Sequence, residues 1–360
     1  MHIAPRIAIG SLIGFCAVGL STAHAEEPVT LANVVDPGPN RPDEPFAKRY
    51  SLPRALRFLD AAALSWQKRR DCMTCHTNYA YLLASSAVDS DRPALRQVRQ
   101  YAEALVRERW ETKGPRWPAE VVMTAAVLAG NDAATSGQLH PLSRRALDRM
   151  WTLQNEDGGW EWLKCDWPPM ESDDFFGVTM ALLAAGMAPN AYAATPAAQT
   201  GLRRIRQYLT ANPVPNLHHE AMLVWASTYV DGILTPAQRK ATVERLLAKQ
   251  KPDGGWGLAT LGEWKRMDEK PQDTRSSDGY GTGLVIHVAR RAGFPATDPR
   301  LVRGIRWLET HQRESGRWFT RSLAKDGRHF LTHAGTAFAV LALRACDEER
   351  THARASAVDQ

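Results

Sequence analysis

Cysteine is scarce in this sequence, which has only five in 360 residues. A scaffold built from disulfides is therefore excluded, because such scaffolds need a much higher cysteine density. Glycine and proline number only 25 and 22, which excludes collagen-like and low-complexity chains. After the first 25 residues, no segment reaches the roughly 18 uninterrupted apolar residues of a membrane-spanning helix. We therefore predict no transmembrane segment in the mature chain.

The N-terminus has the pattern of a secretory signal. A basic start ending at Arg6 precedes an apolar run over residues 7–20, and Ala23-His-Ala25 supplies a small-x-small cleavage site. We predict cleavage after Ala25 and a periplasmic or secreted mature protein.

The formal net charge is +6, with 45 basic and 39 acidic residues. The basic residues are spread along the chain, whereas nucleic-acid-binding surfaces need them clustered. We expect a solvated surface and no nucleic-acid partner.

Tryptophan, by contrast, is abundant, with twelve residues, and three of them mark a repeat. The pattern Gln-x3-Gly-x-Trp occurs at residues 154–160, 250–256 and 312–318. Each copy follows a stretch in which apolar residues recur every three or four positions, which predicts a helix with one buried face. The glycine then ends that helix, and a second, more apolar helix follows.

The same pairing of helices occurs six times, and each first helix opens at or beside a proline, namely Pro53, Pro93, Pro141, Pro196, Pro236 and Pro299. The second helices are apolar nearly all round and are expected inside. We predict an all-α (α/α)6 toroid, with inner and outer helix rings, over residues 53–346. Residues 26–52 read as a proline-rich extended arm and 347–360 as a polar tail. A superhelical solenoid is the alternative.

These repeats and apolar helices resemble the terpenoid cyclase and protein prenyltransferase superfamily, and squalene-hopene cyclases in particular. The resemblance spans residues 53–346 and implies a toroid whose cavity takes an apolar or isoprenoid-like ligand. Glu171-Ser-Asp-Asp174 is similar to the Asp-x-Asp-Asp motif of those cyclases, whose central aspartate protonates an alkene. The resemblance implies that role for Asp173, although Glu171 replaces the first aspartate and the chain has only one toroid. Squalene cyclisation itself is therefore not expected.

The first hairpin lacks its repeat tryptophan and carries Cys72-Met-Thr-Cys75-His76 instead. Cys-x-x-Cys-His is the attachment site of c-type haem, in which two thiols bind the macrocycle and the histidine binds the iron. We predict one covalent haem c on Cys72 and Cys75 with His76 as proximal ligand. The candidates for a sixth ligand are His333, His219 and Met170. A Cys72–Cys75 disulfide and a zinc site that borrows Cys165 are the alternatives.

In such a toroid the inner helices all point the same way, so their N-terminal ends meet at one opening. Those ends carry acids and histidines, namely His76, Glu120, Asp173, Asp174, His218, His219, Glu220, Asp278 and His333. A single acid there can simply cap its helix, but the whole set predicts a functional mouth. The catalytic candidates are Asp173, Asp174, Asp278 and His333. The zinc site of the prenyltransferases has no counterpart cysteine beside Asp278.

The leading hypothesis is an exported haem protein that transfers electrons to a periplasmic partner or oxidises an apolar ligand, as a haem-dependent oxidoreductase. The first alternative is a non-redox enzyme, cyclase-like or polysaccharide lyase-like, in which Asp173 and Asp174 act as acid and base. The second alternative is a module that binds a lipid or a glycan.

Overall fold

The computed structural model of the chain describes residues 27–86, 88 and 91–358, with side chains as far as residue 347. The predicted signal sequence and its cleavage site lie outside these residues. The described chain contains no β-sheet, and its helices alternate between an outer and an inner ring. The outer helices are α1 (Leu52–Arg70), α3 (Pro93–Ala104), α5 (Pro141–Thr152), α7 (Pro196–Ala211), α9 (Pro236–Leu247) and α11 (Pro299–His311). The inner helices are α2 (Ala80–Ser85), α4 (Pro118–Ala134), α6 (Asp174–Met187), α8 (Leu217–Ser227), α10 (Gly279–Arg291) and α12 (Leu331–Val358).

The predicted (α/α)6 toroid is confirmed. Helix α12 packs against α10 on one side and α2 on the other, so the inner ring is closed and an open solenoid is excluded. A π-helical turn, Cys75–Tyr79, precedes α2, and a second one, Leu105–Arg109, continues α3. Within the described residues, no helix is long and apolar enough to cross a membrane.

The three repeat tryptophans are fully buried and hold the ends of their outer helices. Each indole Nε1 donates to a carbonyl ten residues earlier: Trp160 to Met150 at 3.0 Å, and Trp256 to Leu246 at 2.9 Å. Trp318 donates in the same way to the carbonyl of residue 308, at 2.8 Å. An indole N–H must find a partner when it is buried, and this bond supplies one while the ring fills the space between neighbouring helices.

The repeat glycines and glutamines join each hairpin to the next. Gly158, Gly254 and Gly316 all have φ between 93° and 97°, a left-handed conformation that suits glycine. A Cβ on Gly158 would lie 2.1 Å from the Arg204 carbonyl oxygen of the next outer helix. The glutamine Nε2 donates across the same gap, as Gln154 does to the carbonyl of Gly201 at 3.1 Å.

The first hairpin keeps part of this pattern. Asp71 occupies the position of the repeat glycine, four residues after Gln67, and it adopts the same left-handed region with φ 46°. Met73 stands in the tryptophan position and packs, partly buried, against the core. Gln67 is buried, but its Oε1 has no hydrogen-bond partner among the described residues. The haem-type motif therefore begins inside a degenerate repeat.

The N-terminal arm lies against the last hairpin. Arg317, whose side chain is only 4% exposed, donates to the carbonyl of Pro37 at 2.8 Å and to Oδ1 of Asn40 at 2.7 Å, and it pairs with Glu44 at 3.1 Å. The arm has no helix between residue 27 and α1. At the other end of the chain, the backbone of α12 continues past the predicted domain boundary at Cys346.

Candidate functional site

His76, the histidine of the cysteine motif, lies next to His333, a predicted candidate for the sixth haem ligand, at the mouth of the toroid. Thr77 Oγ1 lies 2.8 Å from Nδ1 of His76 and 2.9 Å from Nδ1 of His333, so one hydroxyl bridges the two imidazoles. Asn40 of the arm reaches Nε2 of His333 at 3.1 Å. Burial lowers the pKa of His76 to about 4 and that of His333 to about 3. Both rings are therefore neutral near pH 7.

A second cluster forms where α6 and α8 begin. Nε2 of His219 lies 3.1 Å from Oδ1 of Asp173, and its Nδ1 lies 2.8 Å from Oδ1 of Asn216. Asp173 also caps α6 by accepting from the Phe176 N–H at 3.2 Å. Burial raises the pKa of Asp173, but its contacts with His219 and backbone N–H groups outweigh burial and leave the pKa below its usual value. Asp173 is thus a carboxylate at neutral pH.

Asp174 holds the backbone that follows a repeat tryptophan. Its Oδ1 accepts from the backbone N–H of Trp162, two residues after a repeat tryptophan, at 3.1 Å. Asp278 does the same in the next marked hairpin, where Oδ2 accepts from the Leu258 N–H at 2.7 Å. One bond of each acid is therefore structural. Their surroundings differ, because Asp174 lies near Lys164 at 3.4 Å with a side chain that is 35% exposed.

Asp278 is the candidate acid with the most unusual environment. Its Oδ1 caps α10 by accepting from the Gly281 N–H at 2.8 Å. Burial raises its pKa to about 6, against the lowering effect of the Gly281 and Leu258 N–H groups. A carboxyl that titrates near neutrality can donate a proton at the pH where most enzymes work.

Asp278 lines a cleft with a volume of about 1120 Å³. Loops 258–277 and 319–332 form most of its walls, while segment 161–172, the loop before inner helix α6, contributes no residue to it. Its charged walls consist of Asp273, Arg275, Asp278, Arg313, Arg321 and Asp326. The cleft therefore combines a protonatable acid with carboxylates and guanidinium groups.

The two other carboxylates of the cleft are ionised. Asp273 accepts from the backbone N–H groups of Arg275 and Ser276 at 3.0 and 3.1 Å, and these bonds outweigh burial and lower its pKa. Asp326 pairs with Arg321 at 2.7 Å and with Lys270 at 3.0 Å, so its pKa is also lowered. Asp326 is held by ion pairs, whereas Asp273 is held mainly by hydrogen-bond donors, with Arg321 as a more distant positive charge.

The described arrangement does not fit a haem held by all three motif residues. Cys75 is buried and lines a cavity of about 20 Å³ inside the ring, which has room for about one water molecule. His76 instead stacks on Phe330, with ring centroids 5.3 Å apart, and Phe330 lines a separate cleft beneath the arm. Because the cavity beside Cys75 is this small, a macrocycle bonded to its thiol would require this segment to open.

The sixth-ligand candidates are spread over three places. His333 adjoins His76, with ring centroids 6.5 Å apart. Met170 lines the inner cavity together with Cys75, and His219 belongs to the Asp173 cluster. In the described part of the chain, no group of three or more His, Cys, Asp or Glu side chains is placed to hold a metal ion. The inner cavity, as described, also lacks room for an isoprenoid.

Several residues of the site were missed by sequence reasoning. Thr77 bridges two predicted histidines, Asp273 and Arg275 stand in the cleft, and Asn40 comes from the arm. Glu171, predicted only as part of the acid motif, has its pKa raised by burial and lies beside the Cys75 thiol. Asp278 is the one cleft residue that the sequence analysis names as a catalytic candidate.

Comparison with known proteins identifies the architecture. No protein-family model matches the chain, and no curated protein matches it. Among solved structures, it is similar to a glycosidase in complex with glucose, with TM-score 0.54, 13% identity, and coverage of 81% of this chain and 96% of that one. It is also similar to the GH76A alpha-1,6-mannanase from Salegentibacter sp. HEL1_6, with TM-score 0.51, 8% identity and coverage of 82% and 98%. The type II terpene cyclase MstE from Scytonema matches with TM-score 0.47, 12% identity and coverage of 82% and 99%.

These similarities show the fold alone. The chain is an α/α-toroid protein. A shared fold does not fix an activity. Function has to be argued from the site.

Proposed function

We propose that this protein is a glycan-acting enzyme that cleaves its substrate by acid–base catalysis in the cleft at the mouth of the toroid. The observation that carries the proposal is the position of Asp278. This carboxyl lines a cleft of about 1120 Å³, and burial raises its pKa to about 6. A raised pKa in a large cleft marks a candidate general acid.

The chemistry needs two groups in opposite protonation states. Cleavage of a glycosidic bond requires a proton on the leaving oxygen and a base that activates water or removes a substrate proton. Asp278 is the proton donor in this proposal, and Asp273, whose pKa is lowered, is the carboxylate base. Environments that push two pKa values apart assign the acid and the base.

The cleft also suits a polar substrate. Its walls carry charged side chains from both loops, and Phe319 adds an aromatic ring against which a sugar face could pack. The glycosidase and the mannanase with the same fold support a toroid as a scaffold for glycan chemistry. The inner cavity of about 20 Å³ gives no comparable support to an apolar substrate.

Asp278→Asn tests the proposal, with Asp174→Asn as the matched control. Both acids accept the equivalent repeat N–H bond, but only Asp278 lines the cleft. The assay measures the release of sugar ends from a panel of polysaccharides. We expect Asp278→Asn to lower the rate about 10²- to 10⁴-fold, and Asp174→Asn to leave it within a few-fold. Full activity in folded Asp278→Asn would contradict the proposal.

A cyclase-like acid at Asp173 is the second candidate, because Asp173 is the central aspartate of the acid motif and stands at the N-terminus of inner helix α6. An aspartate must be protonated to act as such an acid, whereas the pKa of Asp173 is lowered. Asp173→Asn separates the two candidates, because it should abolish turnover of an isoprenoid substrate and spare glycan cleavage. The predicted haem c contributes no step to either mechanism.

A further inference from the structure

We propose that Thr320 is the positioning residue for the acid of this cleft: its hydroxyl engages Oδ1 of Asp278 and leaves Oδ2 as the oxygen that carries the transferred proton. This inference rests on the proposed role of Asp278 as the general acid. Thr320 belongs to loop 319–332 of the last hairpin and is fully buried, so it acts on the reaction only through Asp278.

The hydroxyl of Thr320 lies between a donor and an acceptor. Its Oγ1 accepts from the backbone N–H of Tyr280 at 3.1 Å, and Oδ1 of Asp278 lies 3.4 Å away on the acceptor side. A hydroxyl has one hydrogen to donate, and here that hydrogen is free for the carboxylate. Residue 335 leaves room for this arrangement because it is glycine, since a Cβ there would lie 2.5 Å from Oγ1 of Thr320.

The donors around Asp278 are divided unequally between its two oxygens. Oδ1 accepts from the Gly281 N–H at 2.8 Å and from Thr320, whereas Oδ2 accepts, among the described residues, only from the Leu258 N–H at 2.7 Å. Each carboxylate oxygen has two lone pairs. The free lone pair therefore belongs to Oδ2, and a proton bound there leaves both bonds of Oδ1 intact.

The repeat explains why Asp278 alone among the repeat acids has this partner. In each marked hairpin, the residue two positions after the tryptophan donates its backbone N–H to a side chain at the start of the inner helix. The pairs are Trp162 with Asp174 at 3.1 Å, Leu258 with Asp278 at 2.7 Å, and Thr320 with Thr332 at 3.0 Å. Only in the last hairpin does this residue have a hydroxyl, and that hydroxyl reaches the acid of the neighbouring hairpin. Thr332 also donates to the Thr320 carbonyl at 3.1 Å, which fixes the backbone behind the hydroxyl.

The step that this arrangement serves is a proton transfer. The O–H bond on Oδ2 of Asp278 breaks while a new O–H bond forms on the leaving oxygen of the glycosidic bond, which takes the electron pair of the broken C–O bond. Asp278 is left as a carboxylate. The donors on Oδ1 stabilise that charge, because a hydrogen bond to the charged form favours it.

Thr320→Val tests the inference, because it removes the hydroxyl at nearly constant volume. Burial raises the pKa of Asp278, and its donors, Thr320 among them, lower it. Loss of this donor should raise the pKa of Asp278 by roughly half to one pH unit. The carboxyl carbon resonance of Asp278 measures this pKa in a chain labelled with ¹³C at aspartate, with Asp278→Asn for assignment.

Glycan cleavage supplies a second measurement. The alkaline limb of the pH profile should move to higher pH by the same amount as the pKa. At the acid plateau, kcat should fall about three- to tenfold, a small part of what a general acid contributes, while KM is unchanged. Thr320→Ser keeps a hydroxyl and should restore both the pKa and the rate. Thr320→Ala carries the same expectation as Thr320→Val and replaces it if the valine variant does not fold.

Thr336→Val is the matched control for the loss of a buried hydroxyl. Thr336 is also fully buried, and its Oγ1 accepts from the Trp318 N–H at 3.1 Å. It donates to the Thr332 carbonyl at 2.8 Å rather than to an acid. Thr336→Val should therefore lower the melting temperature in the same way as Thr320→Val and leave the pKa of Asp278 unchanged.

The other titratable and charged groups near Asp278 are the same in all of these variants, so they contribute equally to each titration. They are Tyr280 on α10, Asp273 and Arg275 on loop 258–277, Arg313 after α11, and Arg321, Asp326 and His329 on loop 319–332.

An unchanged pKa of Asp278 in folded Thr320→Val, or an equal shift in Thr336→Val, would overturn the inference. Failure of the proposed function gives a different result. Cleavage that depends on Asp278 but keeps its pH limb in Thr320→Val sinks this inference alone. A shifted pKa in a chain that cleaves no glycan supports the contact between Thr320 and Asp278 and removes the catalytic role of Asp278.

Discussion

Gln312 and Ser51 join the two ends of the toroid. Nε2 of Gln312 donates to the Ser51 carbonyl at 3.0 Å, and its Oε1 accepts from the Ser51 N–H at 2.7 Å. Ser51 is the N-cap of the first outer helix, whereas Gln312 follows the last one. The repeat glutamine links neighbouring hairpins elsewhere in the ring. At Gln312 it closes the ring, because it joins two residues that lie 261 positions apart.

Gln312→Ala is expected to destabilise the fold more than the equivalent Gln154→Ala. Gln312 is only 1% exposed, and its loss leaves the Ser51 N–H and the Gly316 carbonyl without partners, while the Ser51 carbonyl keeps the Ala55 N–H. Each unsatisfied group costs about 1–3 kcal/mol, so we expect a loss of at least about 2 kcal/mol. Urea unfolding measures the difference. If both variants lose the same free energy of unfolding, the ring-closing glutamine contributes no more to stability than the other repeat glutamines.

Gly316→Ala tests the close approach at the same junction. A Cβ there would lie 2.3 Å from the Arg54 carbonyl oxygen, in addition to the strain of φ 97°. Gly137→Ala is the matched control, since Gly137 also has a positive φ, 66°, but nothing within 4 Å of its Cβ position. We expect about 1–2 kcal/mol from the backbone conformation at Gly137, and a clearly larger loss at Gly316. Similar melting temperatures for the two variants would contradict the predicted clash.

Glycan cleavage should lose activity as the pH rises above about 6. The general acid must be protonated, and the pKa of Asp278 is about 6. The rate at saturating and at low substrate should therefore fall about tenfold per pH unit on the alkaline side, unless another group titrates first. A pH profile of the wild-type chain measures this limb. A rate that stays constant from pH 6 to 9 would exclude Asp278 as the proton donor.

Acid should destabilise the fold through its buried histidines. Burial lowers the pKa of His287 to about 3, so the folded state keeps this ring neutral while the unfolded state, near 6.5, binds a proton. Stability from this group is present above pH 6.5 and is lost as pH falls below it, by about 1.4 kcal/mol per pH unit. His287 packs against Trp225 with ring centroids 4.7 Å apart, so His287→Phe should fill the same space.

Urea unfolding at pH 7, 6 and 5 measures this effect. The variant should lose less stability per pH unit than the wild type, by the contribution of one proton. A His287→Phe variant with the wild-type slope would show that His287 is protonated in the folded state.

The covalent haem remains a prediction of the Cys72-x-x-Cys75-His76 motif. Expression with a c-type maturation system, followed by a peroxidase stain of the denatured chain, tests it. A stained band that disappears in Cys75→Ala would establish attachment and require the buried segment around Cys75 to open. An unstained band at full expression would remove the haem prediction and agree with the separation of Cys75 from His76.

The sequence predicts the ring because its signals are local. Helical spacing, prolines at first turns and glycines in the left-handed region all depend on neighbouring residues, and they correctly gave six hairpins. The mouth was also predictable in part, since inner helices that run the same way must place His76 near His333. The structure adds that Asp71 takes the position and the left-handed conformation of the repeat glycine in the hairpin that lacks it.

Only the tertiary structure separates the acids by environment. Asp174 and Asp278 accept the same repeat bond, yet loops 258–277 and 319–332 enclose Asp278 alone in the cleft. A pKa depends on desolvation and on charges contributed from distant parts of the chain, which no local pattern contains. The scarcity of cysteine excluded a disulfide scaffold and drew attention to Cys72 and Cys75. Only the packing shows that Cys75 is buried beside a cavity of about 20 Å³.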